Sequence, residues 1–226
     1  MEGRAIERAL VIGNSGGIGS AVQAALAAQG TDVVGLSRAA DGLDVTDEPS
    51  VAATLGALEG AFDLVFVATG ALAAPGGAPE KSLRALDPQA MGALFAVNAI
   101  GPAMVLKHCV RLLPRARRSV VAVLSARVGS IGDNALGGWY SYRASKAALN
   151  QLVHGAAIEL GRSHRQAICI ALHPGTVRTR FTADYLGRHP AVEPAQAAAN
   201  LLAVIARLAP ADTGGFFDWS GAPVPW

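Results

Sequence analysis

Tyr142 stands four positions before Lys146 in Trp139-Tyr140-Ser141-Tyr142-Arg143-Ala144-Ser145-Lys146, where an apolar-periodic run begins. On a helix, residues at that spacing share one face, so a phenol and an amine would lie side by side. An ammonium beside a phenol favours the phenolate, which predicts that Tyr142 titrates below its ordinary value of about 10 and serves as a general acid near neutral pH. The same spacing also describes a solvated pair on an exposed helix, so the rest of the chain must point to the same place. Tyr140 competes for the role, but no lysine follows it at that distance.

The elements that would position this pair alternate in period. Ala9 to Ile12 is a short apolar run that stops at Gly13, and a helical pattern follows from Gly17 through Val22 and Leu26 to Gly30. Between them lies Gly13-Asn14-Ser15-Gly16-Gly17-Ile18-Gly19. Missing side chains there would let backbone N–H groups and a helix N-terminus approach a pyrophosphate, although a plain strand-to-helix turn has the same look. A second strand, Asp32 to Leu36, ends in Ser37-Arg38. In nicotinamide folds an acid about 20 residues beyond the glycines holds the ribose 2′-hydroxyl, whereas an arginine accommodates a 2′-phosphate. Arg38 therefore argues for NADP(H), with NAD(H) open because Asp41 could fold back as the acid.

Asp44-Val45 falls in the next turn, and Asp47-Glu48-Pro49 starts a helix. The strand Leu64 to Ala68 closes at Thr69-Gly70, and Leu72 to Lys81 reads as a surface loop. A helix opening at Asp87-Pro88 carries Met91, Leu94 and Phe95 and reaches Asn98 and Gly101-Pro102, where Pro102 should disturb the backbone pairing just before it. Asn98 either repairs that disturbance or holds a water. The strand Ser119 to Leu124 delivers Ser125 at the end where open α/β sheets bind ligands. Ser130 is a second serine nearby. Past the Tyr142 helix come a strand from Ala167 to Leu172, the tract His173-Pro174-Gly175-Thr176-Val177-Arg178-Thr179, a helix from Pro194 to Leu208 and a last strand around Phe216 to Trp219. Strands alternating with helices predict one α/β domain over residues 1–226, a doubly wound parallel sheet of about seven strands flanked by helices.

Composition limits the function classes. A net charge of +2 on 226 residues, with Arg115, Arg117 and Arg118 as the one basic cluster, argues against a nucleic-acid surface. Cys109 and Cys169 lie in apolar runs and read as buried thiols. Glu2, Arg4, Glu7 and Arg8 argue against a signal peptide, and no uncharged apolar segment is expected to reach bilayer length, which together predict a cytoplasmic protein without a membrane partner. His108, His154, His164, His173 and His189 are too dispersed for a metal site.

With these motifs in hand, the chain resembles the short-chain dehydrogenase/reductases over nearly its whole length. The matching motifs are Gly13 to Gly19, Asn98 with Gly101, Ser125, Tyr142 with Lys146, and Pro174-Gly175. Leu124 to Ser130 and Gly137 to Arg143 look particularly like the C-factor branch. The resemblance implies a Rossmann-type fold in which Tyr142 protonates the substrate oxygen, Ser125 orients it, Lys146 holds the nicotinamide ribose and Asn98 keeps a water on a proton relay. It further implies that Gly13, Ser15, Gly17, Ile18 and Gly19 line the pyrophosphate, Ser37 and Arg38 the 2′-phosphate, and Asp44 with Val45 the adenine. Ala68, Thr69 and Gly70 then allow close backbone approach, and Pro174, Gly175, Val177 and Thr179 flank the nicotinamide. The expected activity is NADPH-dependent reduction of a small or medium aldehyde or ketone, or the reverse alcohol oxidation, by a homodimer or homotetramer. The alternative implied by the C-factor branch is a signalling protein that binds the dinucleotide without needing turnover. Three features depart from the family pattern: an insertion around Asp133 to Gly138, Val67-Ala68-Thr69-Gly70 in place of Asn-Asn-Ala-Gly, and a short substrate-lid region from Arg178 to Pro190. Of Arg127, Arg143 and Arg178, Arg127 is the favoured contact for an anionic substrate group.

Overall fold

A computed structural model describes residues 6–187 and 190–226, so Glu2, Arg4 and His189 lie outside the described residues. The first apolar run forms β1 (Arg8–Ile12), and the chain turns at Gly13 into α1 (Gly17–Ala28) and then β2 (Asp32–Leu36). Ser37 caps α2 (Arg38–Asp41) by accepting from the Ala40 N–H, and the Asp47 carboxylate accepts from the Ser50 N–H at the start of α3 (Glu48–Gly56). After β3 (Leu64–Val67) come α4 (Pro88–Phe95), a π-helical turn (Ala96–Ile100) and α5 (Gly101–Cys109). Then follow β4 (Ser119–Leu124), α6 (Tyr140–Ser163), β5 (Ala167–His173), α7 (Pro194–Arg207) and β6 (Phe216–Asp218).

The strands form one parallel sheet in the order β2-β1-β3-β4-β5-β6, a single Rossmann-like α/β domain. Among the described residues the sheet has six strands, not the expected seven or so. Beyond β2 the chain turns at once, with Leu43 N–H returning to Ser37 O at 3.2 Å and Gly42 at a left-handed φ of 69°, and residues 43–45 that follow enter no strand ladder outside β2.

Alternation along the strands divides the core between two faces. Leu10, Ile12, Val65, Val67, Val121, Val123, Cys169 and Ala171 pack against α3, α5 and α6 through Leu55, Val105, Leu149 and Val153. Ala9, Val11, Leu64, Phe66, Ala122, Ile168 and Ile170 pack against α1 and α7 through Val22, Leu26, Leu201 and Ile205. Each large side chain removed from water in this way contributes about 1.5–3 kcal/mol, which ties the helices that bear functional groups rigidly to the sheet. Cys109 and Cys169 are buried and unbonded, as the sequence suggests. The basic cluster is partly absorbed by the fold, since Arg117 pairs with Asp63 and Arg118 donates to the carbonyls of Ile205 and Leu208 near the end of α7.

Two expectations are corrected by the fold. The helical run Pro88–Leu112 has 25 residues and is long and apolar enough to cross a membrane by length and composition, contrary to the expectation that no segment would be. In the fold its apolar face is a core face, with Leu94, Ala99, Val105, Leu106 and Cys109 buried. The loop from Leu72 to Lys81 is not wholly at the surface either. Glu80 is buried, and its carboxylate accepts the Ser141 N–H at 3.2 Å and the Ser141 hydroxyl at the N-terminus of α6.

Candidate active site

The C-terminal ends of β1, β3, β4 and β5 bring the sequence-predicted residues to one edge of the sheet. At Gly13 the chain adopts a φ of 86°, and a Cβ there would stand 3.0 Å from the Ala68 carbonyl carbon, so the turn after β1 packs directly on the turn after β3. A Cβ at Gly19 would run into the Gly13 carbonyl oxygen. Gly16 caps α1 without any side-chain hydrogen bond, which leaves the first N–H groups of the helix to be satisfied from outside. Ser15 and Gly17 are exposed, Ile18 is half-buried, and Thr179 presses on Gly17, where a Cβ would meet its methyl at 2.6 Å. The loop after β5 thus reaches the glycine turn.

Past β2, the Ser37 hydroxyl and N–H are both engaged with Asp41 Oδ2, at 3.3 and 2.8 Å. Asp41 therefore does not swing back as a free acid. Arg38 is exposed on the first turn of α2, and no hydrogen bond of its side chain is found among the described residues. Asp44 Oδ1 accepts from the N–H and hydroxyl of Thr46, and those bonds hold its carboxyl below the usual range. Val45 packs where a Cβ on Gly101 would stand, which explains the glycine there.

Asn98 lies in the π-helical turn. Pro102 has no N–H to close onto the Asn98 carbonyl, and just ahead of it the helix widens so that Gly101 N–H bonds Ala96 O. The Asn98 amide is fully buried; it bonds Ala71 N and O at 2.8 Å each and donates to Ser145 Oγ at 3.0 Å. Both amide protons are therefore engaged in joining the β3 turn to α6, and the side chain is a structural tie. A Cβ on Gly70 would stand 3.4 Å from Asn98 Oδ1 and 3.5 Å from Lys146 Nζ, so three separate motifs converge on that exposed glycine.

Lys146 is buried and donates from Nζ to Leu124 O at 3.0 Å, beside Ser125. Burial pulls its ammonium down to about 8. Tyr142 is 6% exposed and lies within ring contact of Trp139 and Phe181, at 6.2 and 6.1 Å between centroids. Burial pushes its phenol up, opposite in direction to the sequence expectation. The reason is the apolar aromatic enclosure, which penalises the phenolate. Ser125 is brought to the same edge, but its Oγ donates to Asn150 Oδ1 at 2.6 Å. Tyr140, half-buried, makes no comparable contact, and Ser130 accepts the Asp133 N–H at 3.0 Å.

Sequence reading missed Glu80, Asn150 and the aromatic group formed by Trp139, Phe181 and Tyr185, the last with its ring 5.1 Å from Trp139. Asn150 was visible as the next residue after Lys146 on the same helical face; the aromatic contacts cross from one loop to another and leave no periodic signal. Arg127, the favoured contact for an anionic substrate group, and the two other candidates, Arg143 and Arg178, are all turned to protein partners. Arg127 bonds Asp133 Oδ2 at 2.6 Å, Arg143 donates to the carbonyls of Val128, Gly137 and Gly138, and Arg178 pairs with Glu193 at 3.2 Å. Arg127 and Arg143 thereby fasten the inserted segment. Among the described residues no cluster of three or more His, Cys, Asp or Glu could hold a metal ion.

The edge fits a dinucleotide. Buried polar atoms without a hydrogen bond include Asn14 Oδ1 just past β1, Thr69 Oγ1 just past β3 and His173 Nδ1 at the end of β5. These line up along the sheet edge with the uncapped α1 N-terminus and the open glycines. His173 itself is held down to about 4 by burial, so it is neutral at physiological pH. Val177 is buried, Gly175 has a φ of 77° against Trp219, and Pro174 precedes it, which fixes the course of the loop after β5.

The fold and this edge place the chain in the short-chain dehydrogenase/reductase family, to which it belongs: the family profile described as Enoyl-(Acyl carrier protein) reductase matches residues 12–212. It is an NAD(P)-dependent oxidoreductase of that type. Among its relatives, 1-hydroxy-2-glutathionyl-2-methyl-3-butene dehydrogenase of Rhodococcus sp. (strain AD45) is 33% identical over 96% of this chain and 98% of that protein. The C-signal protein of Myxococcus xanthus is 35% identical over 60% of this chain and 78% of its own length. A short-chain dehydrogenase/reductase from Burkholderia multivorans with bound NADP superposes with a TM-score of 0.83 at 26% identity, over 98% of this chain and 100% of that one. NADPH-bound carbonyl reductase from chicken fatty liver shares the fold with a TM-score of 0.84 at 22% identity, over 100% and 96% of the two chains.

Proposed function

We propose that the protein is an NADP(H)-dependent reductase of neutral, largely apolar aldehydes or ketones. The observation that carries the reading is the convergence on one sheet edge of Tyr142, Lys146 and Ser125 with the uncapped glycine turn. In this reading Ser15, Gly17, Ile18 and Gly19 present backbone N–H groups to the pyrophosphate, and Arg38, whose side chain has no hydrogen bond among the described residues, takes the 2′-phosphate. Asp44 and Val45 border the adenine. Ala68, Thr69 and Gly70 line the near wall, and Pro174, Gly175, Val177 and Thr179 the far one. When bound, the reduced nicotinamide supplies a hydride to the carbonyl carbon.

The chain's own residues handle the proton. A phenol raised by burial is protonated at physiological pH, which suits Tyr142 as the donor to the carbonyl oxygen. Ser125 Oγ turns from Asn150 to the same oxygen and orients it. Lys146 offsets the charge left on Tyr142, and its lowered value allows it to pass a proton on. Asn98 contributes through its backbone carbonyl, which Pro102 cannot close, because its side chain is already tied. Trp139, Phe181 and Tyr185 provide an apolar wall, and the internal pairing of Arg127, Arg143 and Arg178 favours an uncharged substrate. The protein associates as a homo-oligomer in this reading through Ile100, Leu152 and Ile158, which are exposed whereas Leu149 and Val153 are core.

Calorimetric titration with NADPH and NADH, followed by NADPH turnover on a panel of aldehydes and ketones, tests the reading. Tighter NADPH binding is expected. Tyr142→Phe should retain cofactor binding and lose at least a hundredfold in turnover; an active phenylalanine variant would remove Tyr142 from the role of acid.

A further inference from the structure

Helix α6 carries one more polar group on the face of Tyr142 and Lys146. Asn150 stands one turn beyond the lysine, 3% exposed, and its Oδ1 accepts the proton of Ser125, itself 4% exposed, at 2.6 Å. Asn150 Nδ2 is also buried and has no hydrogen-bond partner among the described residues. Held this way, Ser125 has its only proton directed away from the sheet edge and cannot donate to a substrate oxygen. Donation requires that proton to turn outward, which would leave Asn150 Oδ1 facing the serine oxygen with no proton between them. An amide removes that conflict, because turning it over places Nδ2 where Oδ1 was, and it then donates to Ser125 Oγ.

We propose that Asn150 is a positioning residue for Ser125: it fixes Oγ in both states, taking the serine proton in the free protein and donating to Oγ when the serine donates to substrate. The inference rests on the oxidoreductase reading above. Asn150 acts only through Ser125 and contacts no reacting atom. Leucine in its place fills similar space but can neither accept nor donate. An ionised aspartate can accept the serine proton but cannot donate, so it holds Ser125 in the unproductive state; protonated, it regains a donor.

The test measures kcat and KM for reduction of 4-nitrobenzaldehyde by the full chain as wild type, Asn150→Leu and Asn150→Asp, each with Ser125 and with Ser125→Ala. NADPH affinity by calorimetry reports an intact fold. Asn150→Leu is expected to lower kcat by about ten- to a hundredfold with NADPH affinity within about twofold, and to lower it no further once Ser125 is alanine. The Asn150→Asp variant is expected to recover turnover relative to wild type as pH falls, a recovery absent in the Ser125→Ala background. Equal losses in both serine backgrounds, or unchanged kcat in both variants, would overturn the proposal. Should the leucine variant not fold, a pH-independent loss in Asn150→Asp overturns it alone. Wild-type protein that neither binds NADPH nor reduces the aldehyde refutes the underlying oxidoreductase reading, and this inference with it.

Discussion

Replacing Glu80 by alanine should destabilise the fold by about 3 kcal/mol, although the residue lies in a loop far from Tyr142 in sequence. Its carboxylate accepts two hydrogen bonds from Ser141 at the first turn of α6. Hydrogen bonds to a charged group contribute about 1.5–3 kcal/mol, and a carboxylate at a partly buried helix N-terminus adds up to about 2 kcal/mol. These contributions overlap, and about 3 kcal/mol is their combined scale. For a chain of this size each kcal/mol shifts Tm by about 2–4 °C, so Glu80→Ala should melt about 6–12 °C lower. Glu80→Gln, which keeps the shape and one acceptor, should lose about half as much. Urea unfolding at neutral pH measures the difference directly. Because Ser141 adjoins Tyr142, kcat should fall in the alanine variant more than NADPH affinity, which the proposed reading assigns mainly to the α1 turn and Arg38. A stability within about 0.5 kcal/mol of wild type would mean that the carboxylate is solvated and that α6 is anchored by other contacts.

Arg38→Asp should move cofactor preference from NADPH towards NADH by at least tenfold in the ratio of dissociation constants, measured by calorimetry; unchanged selectivity would leave Arg38 in solvent. Lys146 titrates at about 8 in the folded chain against 10.5 for a lysine in water, so between those values the unfolded chain binds more protons and stability rises with pH. Lys146→Met should therefore lack a rise of about 3 kcal/mol that wild type shows between about pH 7.5 and 10, and parallel unfolding profiles for the two proteins would contradict the burial argument. Ile158→Glu, at a position 55% exposed, should shift the sedimentation coefficient to that of a monomer while leaving Tm within about 2 °C. An unchanged coefficient would move the contact surface elsewhere.

Much of the fold was legible because it rests on local periodicity and capping. Asp47 and Asp87 both cap the helices their Asp-x-x or Asp-Pro patterns announce, and Pro102 marks the widened turn at Asn98. The strand count was less legible, since residues 43–45 follow the turn closed by Leu43 on Ser37 without pairing to β2, so that among the described residues β2 is the edge strand. Within the site, the residues themselves were readable by type and spacing, but their states were not. The sign of the Tyr142 shift depends on enclosure by Trp139 and Phe181, which come from different loops. The Ser125–Asn150 and Glu80–Ser141 bonds span long stretches of chain, and Arg127, Arg143 and Arg178 could be assigned only once Asp133, the 137–138 carbonyls and Glu193 were located.

The placement of β6 also sets a schedule. The glycine turn packs on the turn after β3, but Thr179 from the loop after β5 also presses on Gly17, and α1 shares its core face with α7. The loop at Gly175 in turn leans on Trp219, which follows the last strand. During synthesis from the N-terminus, the glycine turn therefore gains its full packing only after the loop after β5 and α7 have been made, and Gly175 only after Trp219. The two ends of the edge are completed late and together, and are not separable stages of folding.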